Sequence, residues 1–131
     1  MKVNHYEAVE WQPVHMPGAQ GCQVRWLLGA ADGAPTFAMR QFEVAPGGFT
    51  PLHSHPYEHE VYVLEGEGVV LEGDREHPLV PGVVVLVKPD EVHQFRNVGP
   101  HPLKFLCLIP NSAAQPSAAQ LPVAPPECGT S

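Results

Sequence analysis

The chain is expected to fold as a single all-β domain, a jelly-roll type antiparallel barrel. Three observations lead there. Short apolar and alternating runs recur at regular intervals with turn residues between them. Pro (16) and Gly (12) together make up about a fifth of the 131 residues. No segment keeps a 3.6-residue hydrophobic period, the mark of an amphipathic helix. A hydrophobic content of 44% supplies enough apolar side chain for one real core at this length.

The elements follow in order. Residues 1–22 read as an irregular N-terminal arm holding Trp11, Pro13 and Pro17, and residues 23–110 as the barrel. Val24 to Leu28 is the first strand, and Gly29 to Pro35 a turn. Phe37 to Val44 alternates, and Pro46-Gly47-Gly48 is expected to break it. Glu60 to Leu64 and Val69 to Glu72 are strands separated at Gly66 to Gly68, and Gly73-Asp74 signals a hairpin. Val83 to Val87, a β-branched run, suggests a strand buried on both faces. His93 to Asn97 and Leu103 to Ile109 complete the series. Residues 111–131, rich in Ala, Pro, Ser and Gln, read as a flexible tail; the alternative is an arm lying on a neighbouring subunit through Leu121 and Val123.

Charge and cysteine content narrow the function classes. A net charge of -7, with only seven Lys and Arg, makes nucleic acid and anionic membrane poor partners. No run of about 18 apolar residues exists to cross a membrane. The first residues lack the apolar core of a signal peptide, so a cytoplasmic location is expected. Cys22, Cys107 and Cys128 form no CxxC pair and read as three reduced thiols.

The chemistry concentrates in histidine. His53-Ser54-His55-Pro56-Tyr57-Glu58-His59 packs three imidazoles into seven residues, and His93 follows in the next turn region. Neutral imidazole is the commonest protein ligand for a transition metal, and it suits Zn, Cu, Ni and Fe. Residues two apart on an extended strand point the same way, so His53 and His55 can grip one ion. By the same alternation, a His59 that points inward carries Val61 and Val63 with it and turns Glu60 outward. His5, His15, His77 and His101 have no partner at ligand spacing and read as surface residues.

These residues resemble the cupin superfamily. Its first motif is Gly, five residues, His-x-His, three or four residues, an acidic residue, six residues, Gly. Gly47, His53, His55, His59 and Gly66 fit every offset, with His59 where the usual glutamate stands. In the second motif Gly82 lies eleven residues before His93 and Asn97 four after, while Pro89 is one position late and Glu91 stands near the usual glycine. The similarity is greatest to small cupins with a four-histidine site, which share the segments His53 to Glu60 and Phe105 to Pro110.

The resemblance implies a cupin barrel, assembly as a homodimer, and one divalent metal held by His53, His55, His59 and His93. It implies manganese or iron before zinc, nickel or copper. A shell of four neutral imidazoles would leave the ion its full charge and about two open places. Those places suit a bidentate substrate, or a substrate with dioxygen. The expected activity is therefore a metal-dependent, dioxygenase-like oxidation of a small organic molecule. The alternatives are a non-catalytic metal- or ligand-binding module and a Lewis-acid isomerase or lyase. Four residues are candidates for the substrate pocket: Arg40 as a holder of a carboxylate, Tyr57 at the mouth, and Phe105 and Cys107 on the inward face of the last strand. Backbone carbonyls, Glu60 and Gln94 are the candidate acceptors for the ligands' second ring nitrogens.

Overall fold

A computed structural model describes residues 1–14 and 16–114. Nine strands carry the fold: β1 (Gln12–Pro13), β2 (Gln20–Leu28), β3 (Phe37–Phe49), β4 (His59–Glu65), β5 (Gly68–Glu72), β6 (Arg75–Leu79), β7 (Val84–Val87), β8 (His93–Asn97) and β9 (Leu103–Pro110). Every pairing is antiparallel, and the main path runs β6-β5-β8-β3-β9-β4-β7, with β2 and then β1 added at β3. The sheet curls into a half-barrel. Its two end strands, β6 and β7, line the sides of one cleft of about 440 Å³ that reaches His93. Among the described residues no helix is long and apolar enough to cross a membrane.

Alternation fills the interior. Along β9, Leu103, Phe105, Cys107 and Ile109 are buried while the residues between them are half-buried. On β3 the facing residues are Val44, Phe42, Arg40 and Ala38, so three of four cross-strand pairs are apolar and the fourth sets Arg40 against Cys107. Phe105 stacks on Phe42 and Phe95 with ring centroids 5.4 and 4.8 Å apart, and this aromatic layer forms the floor beneath the histidines.

Two sequence expectations about strands are overturned. Pro46-Gly47-Gly48 does not end β3. The strand continues to Phe49, and the extra residues form a bulge against β2, between the pairs Val44↔Cys22 and Phe49↔Gln20. Gly47 supplies the left-handed conformation (φ 80) that the bulge needs. The valine run is not buried on both faces either. β7 is an end strand whose Val85 and Val87 turn inward while Val84 and Leu86 are exposed.

The ends of the barrel are built from short pieces. The arm packs through Arg25, whose guanidinium lies 4.0 Å from the Trp11 ring centroid and 5.1 Å from that of Tyr6. After β9 the chain makes a short helical turn, α1 (Asn111–Ala114). Asn111 is buried, its backbone N–H donating to the Thr36 carbonyl and its side-chain amide to that of Ala34. Leu121, Val123 and Cys128 lie outside the described residues, as does His15.

Candidate metal centre

His53, His55 and His93 form the cluster. One ring nitrogen from each lies within 4.8 Å of the others, as three ligands of a single ion require. Backbone pairing explains the approach. His53 and His93 exchange both hydrogen bonds across a β-bridge, at 3.2 and 2.9 Å. Thr50, just upstream, is tied to Phe95 differently: its backbone N–H donates to the Phe95 carbonyl and its hydroxyl oxygen accepts the Phe95 N–H, both at 2.9 Å. The Asp90 N–H donates to the His55 carbonyl at 2.7 Å, which fastens the His-x-His segment to the turn before β8. Asp90 holds that turn in a left-handed conformation (φ 69), the only non-glycine described residue to do so.

His59 stands beside this group. Its ring centroid is 4.4 Å from that of His55 and 5.3 Å from that of His93, and its Nε2 is 2.7 Å from His55 Nε2. It is 1% exposed, whereas Glu60 faces outward. Burial, reinforced by the neighbouring Arg40 charge and then by the other imidazoles, holds His59 far below the usual histidine range, so its ring is neutral.

The donor set fits a divalent metal ion. Three Nδ1 atoms are engaged away from the cluster: that of His55 with the Tyr57 carbonyl (3.2 Å), that of His93 with the Glu91 carbonyl (2.9 Å), and that of His59 with Cys107 Sγ (2.9 Å). An Nδ1–H donated to an acceptor leaves the Nε2 lone pair available to a metal. The close Nε2 pair of His55 and His59 brings two such atoms together, and a shared cation would satisfy both. Of the acceptors expected from the sequence, backbone carbonyls take this part for His55 and His93. Gln94 instead donates to the Thr50 carbonyl at 2.8 Å.

The candidate pocket residues take different places. Tyr57 is half-buried and stacked on His55, 4.1 Å between centroids and 5° between planes. Phe105 lies in the aromatic floor, one layer from the cluster, since Phe95 intervenes at 6.3 Å from the His93 ring. Cys107 touches His59. Arg40 is 1% exposed and reaches His59 at Nδ1 (3.4 Å), the nitrogen remote from the His55 contact, while donating to Cys107 Sγ at 3.1 Å. Its guanidinium also lies over Phe42 (4.9 Å) and Trp26 (5.3 Å). Trp26 escaped the sequence reading; its signal is a position facing Arg40 across the β2–β3 pair. Asn97, four residues beyond His93, acts structurally: its amide donates to the carbonyls of Val44 and His101, both at 2.8 Å.

Residues 40–109 match the cupin domain family, over half of the chain and including all four histidines. The chain belongs to the cupin family. Among solved cupin-like structures, it resembles the polyketide cyclase RemF from Streptomyces resistomycificus, with 36% identity, a TM-score of 0.80, and coverage of 85% of this chain and 80% of that one. It is 34% identical over 85 residues to the 1-methylthio-D-xylulose 5-phosphate methylsulfurylase of Rhodospirillum rubrum, covering 65% of this chain and 54% of that protein. It is also 34% identical over 70 residues to the oxalate-binding protein of Thermotoga maritima, covering 53% and 58%. This cupin thus spans little more than half the length of these two curated relatives.

Proposed function

We propose that this cupin is a metal-dependent enzyme that activates an oxygen-rich small organic molecule by Lewis-acid catalysis, with His53, His55, His59 and His93 as ligands of one divalent ion. The clustering of His53, His55 and His93, with His59 Nε2 at 2.7 Å from His55 and no Asp or Glu among the buried described residues, supports the reading. An ion so held would polarise a carbonyl oxygen and acidify the carbon beside it. The chain's own residues do the rest. Tyr57 and His55 form a stacked pair at the half-buried side of the cluster, where a flat ligand could lie against them. Phe95 and Phe105 keep water from the floor.

With no buried carboxylate to act as base, the fitting substrate is one whose proton coordination alone makes labile, such as carbon between two carbonyl groups. The likeness to a polyketide cyclase supports carbonyl chemistry of this kind. The oxygenase reading rests on the same site and its apolar floor, but the uncharged shell works against the higher oxidation states that dioxygen chemistry reaches.

Two measurements test the proposal. Zinc- or manganese-loaded protein should speed deuterium exchange at the central carbon of pentane-2,4-dione in D₂O, followed by NMR, above the rate with free metal. Consumption of O₂ without exchange would establish the oxygenase reading in its place; silence in both would leave a binding module. For the ligand set, His59→Ala should lower metal content, with affinity down by more than the about 10- to 100-fold typical of losing a ligand's outer partner, while Glu60→Ala leaves it intact. The reverse pattern would overturn the assignment of His59.

A further inference from the structure

The side of His59 away from the cluster carries an arrangement that the metal ligands alone do not require. Cys107 faces Arg40 directly across the β3–β9 pair and Val61 across the β4–β9 pair. His59, two residues before Val61 on β4, therefore sits diagonally from Cys107 on the same inner face. The register thus brings a guanidinium and an imidazole to one sulfur, and the two lie side by side there, 3.4 Å apart. The distances are 3.1 Å from Arg40 Nη2 and 2.9 Å from His59 Nδ1. All three side chains are at most 2% exposed, so no bulk water competes for these contacts.

We propose that Cys107 is a positioning residue: its sulfur accepts the Nδ1–H of His59 and so aims Nε2 at the cluster, while Arg40 donates to the same sulfur and holds it in place. The inference rests on His59 being the fourth metal ligand. Ligating histidines ordinarily give their second ring proton to a carboxylate or a carbonyl, and this fixes both tautomer and ring orientation. His55 and His93 follow that rule with carbonyls. His59 Nδ1 meets two side chains instead, the Cys107 sulfur at 2.9 Å and the Arg40 guanidinium at 3.4 Å, and of these only the sulfur can accept its proton. Sulfur accepts weakly when it stands alone. A charged donor on the same atom makes the stronger hydrogen bond and holds the sulfur in place beside the ring.

The test uses the full chain. In zinc-loaded protein labelled with nitrogen-15 at histidine, His59 should show a protonated Nδ1 and a metal-bound Nε2. An unprotonated Nδ1, or zinc on Nδ1, would overturn the proposal with no variant needed. Cys107→Val keeps the size and apolar character of the side chain but removes the acceptor, and should lower zinc affinity about 10- to 100-fold in competition with a chromophoric chelator. Cys107→Ser, which restores an acceptor, should recover it to within about threefold of wild type. Equal affinity for both variants, whether high or low, would show that packing alone explains Cys107. His59→Ala separates the two levels of the reading. If it loses zinc affinity while Cys107→Val does not, only the positioning role fails; if it binds zinc as well as wild type, the four-histidine reading fails and the positioning role with it.

Discussion

At the scale of single residues, the centre depends on an imidazole kept neutral by its surroundings. His59 is buried beside a guanidinium that no buried acidic residue of the described chain offsets. Its pKa lies far below the unfolded value near 6.5, so the unfolded state takes up the proton first. Stability of the metal-stripped protein should then be constant with respect to this group above about pH 6.5. Below that pH it should fall by about 1.4 kcal/mol per pH unit from this group alone. Urea unfolding of wild type and His59→Gln across pH 4 to 8, a range of about four units, reads the difference. The variant should lose one proton's worth of acid slope, and parallel curves would refute the burial account. Part of this residue was legible beforehand. Counting seven positions back from Gly66 picks out His59, and strand alternation turns Glu60 away. The sulfur behind His59 was not legible as its partner, because Cys107 meets it only through the register of β9 against β4, and nothing local to either segment encodes that register.

At the scale of elements, the motif glycines divide into two kinds that look alike in sequence. Gly66 and Gly82 both have positive φ, 89 and 95. A Cβ on Gly82 would meet nothing within 4 Å, whereas one on Gly66 would fall within 2.4 Å of the Pro102 carbonyl oxygen and 2.8 Å of Leu103 Cα. Gly82→Ala should therefore cost about 1 kcal/mol of backbone strain. Gly66→Ala must also displace the start of β9, at a total of roughly 3 kcal/mol. Chemical denaturation of the two variants measures the gap, and equal losses would mean that the β4–β9 contact yields easily. Elsewhere, turn signals placed most strand ends well, since Gly and Pro act through local backbone limits. They misled at Pro46-Gly47-Gly48, where the same residues make a bulge inside β3. They were also silent on β6, whose Glu76, His77 and Pro78 have little strand character of their own and are held by pairing with β5.

At the scale of the whole molecule, the outer surface of the half-barrel accounts for the misread valine run. Val84 (69% exposed) and Leu86 (56%) on β7 adjoin Tyr62 (49%) and Glu60 on β4, pair by pair in register. A β-branched run on an end strand, apolar on both faces, implies cover for the outer one. The occupant proposed is a second copy of the chain, because a two-fold axis lays one such patch on another and covers both at once. Glu60 is the one charged side chain among these four positions, so a carboxylate added beside it would meet both its own neighbour and the approaching copy. Wild-type protein should sediment as a dimer at about 50 μM, a concentration above the Kd of about 1 μM at which a specific interface gains about 8 kcal/mol. Leu86→Glu should weaken the association roughly 100-fold and yield monomer. Its zinc content should remain that of wild type, since Leu86 points away from the interior that Val87 and His59 share across the strand pair. A wild-type monomer at that concentration, or a dimer unchanged in Leu86→Glu, would remove this face as the site of self-association.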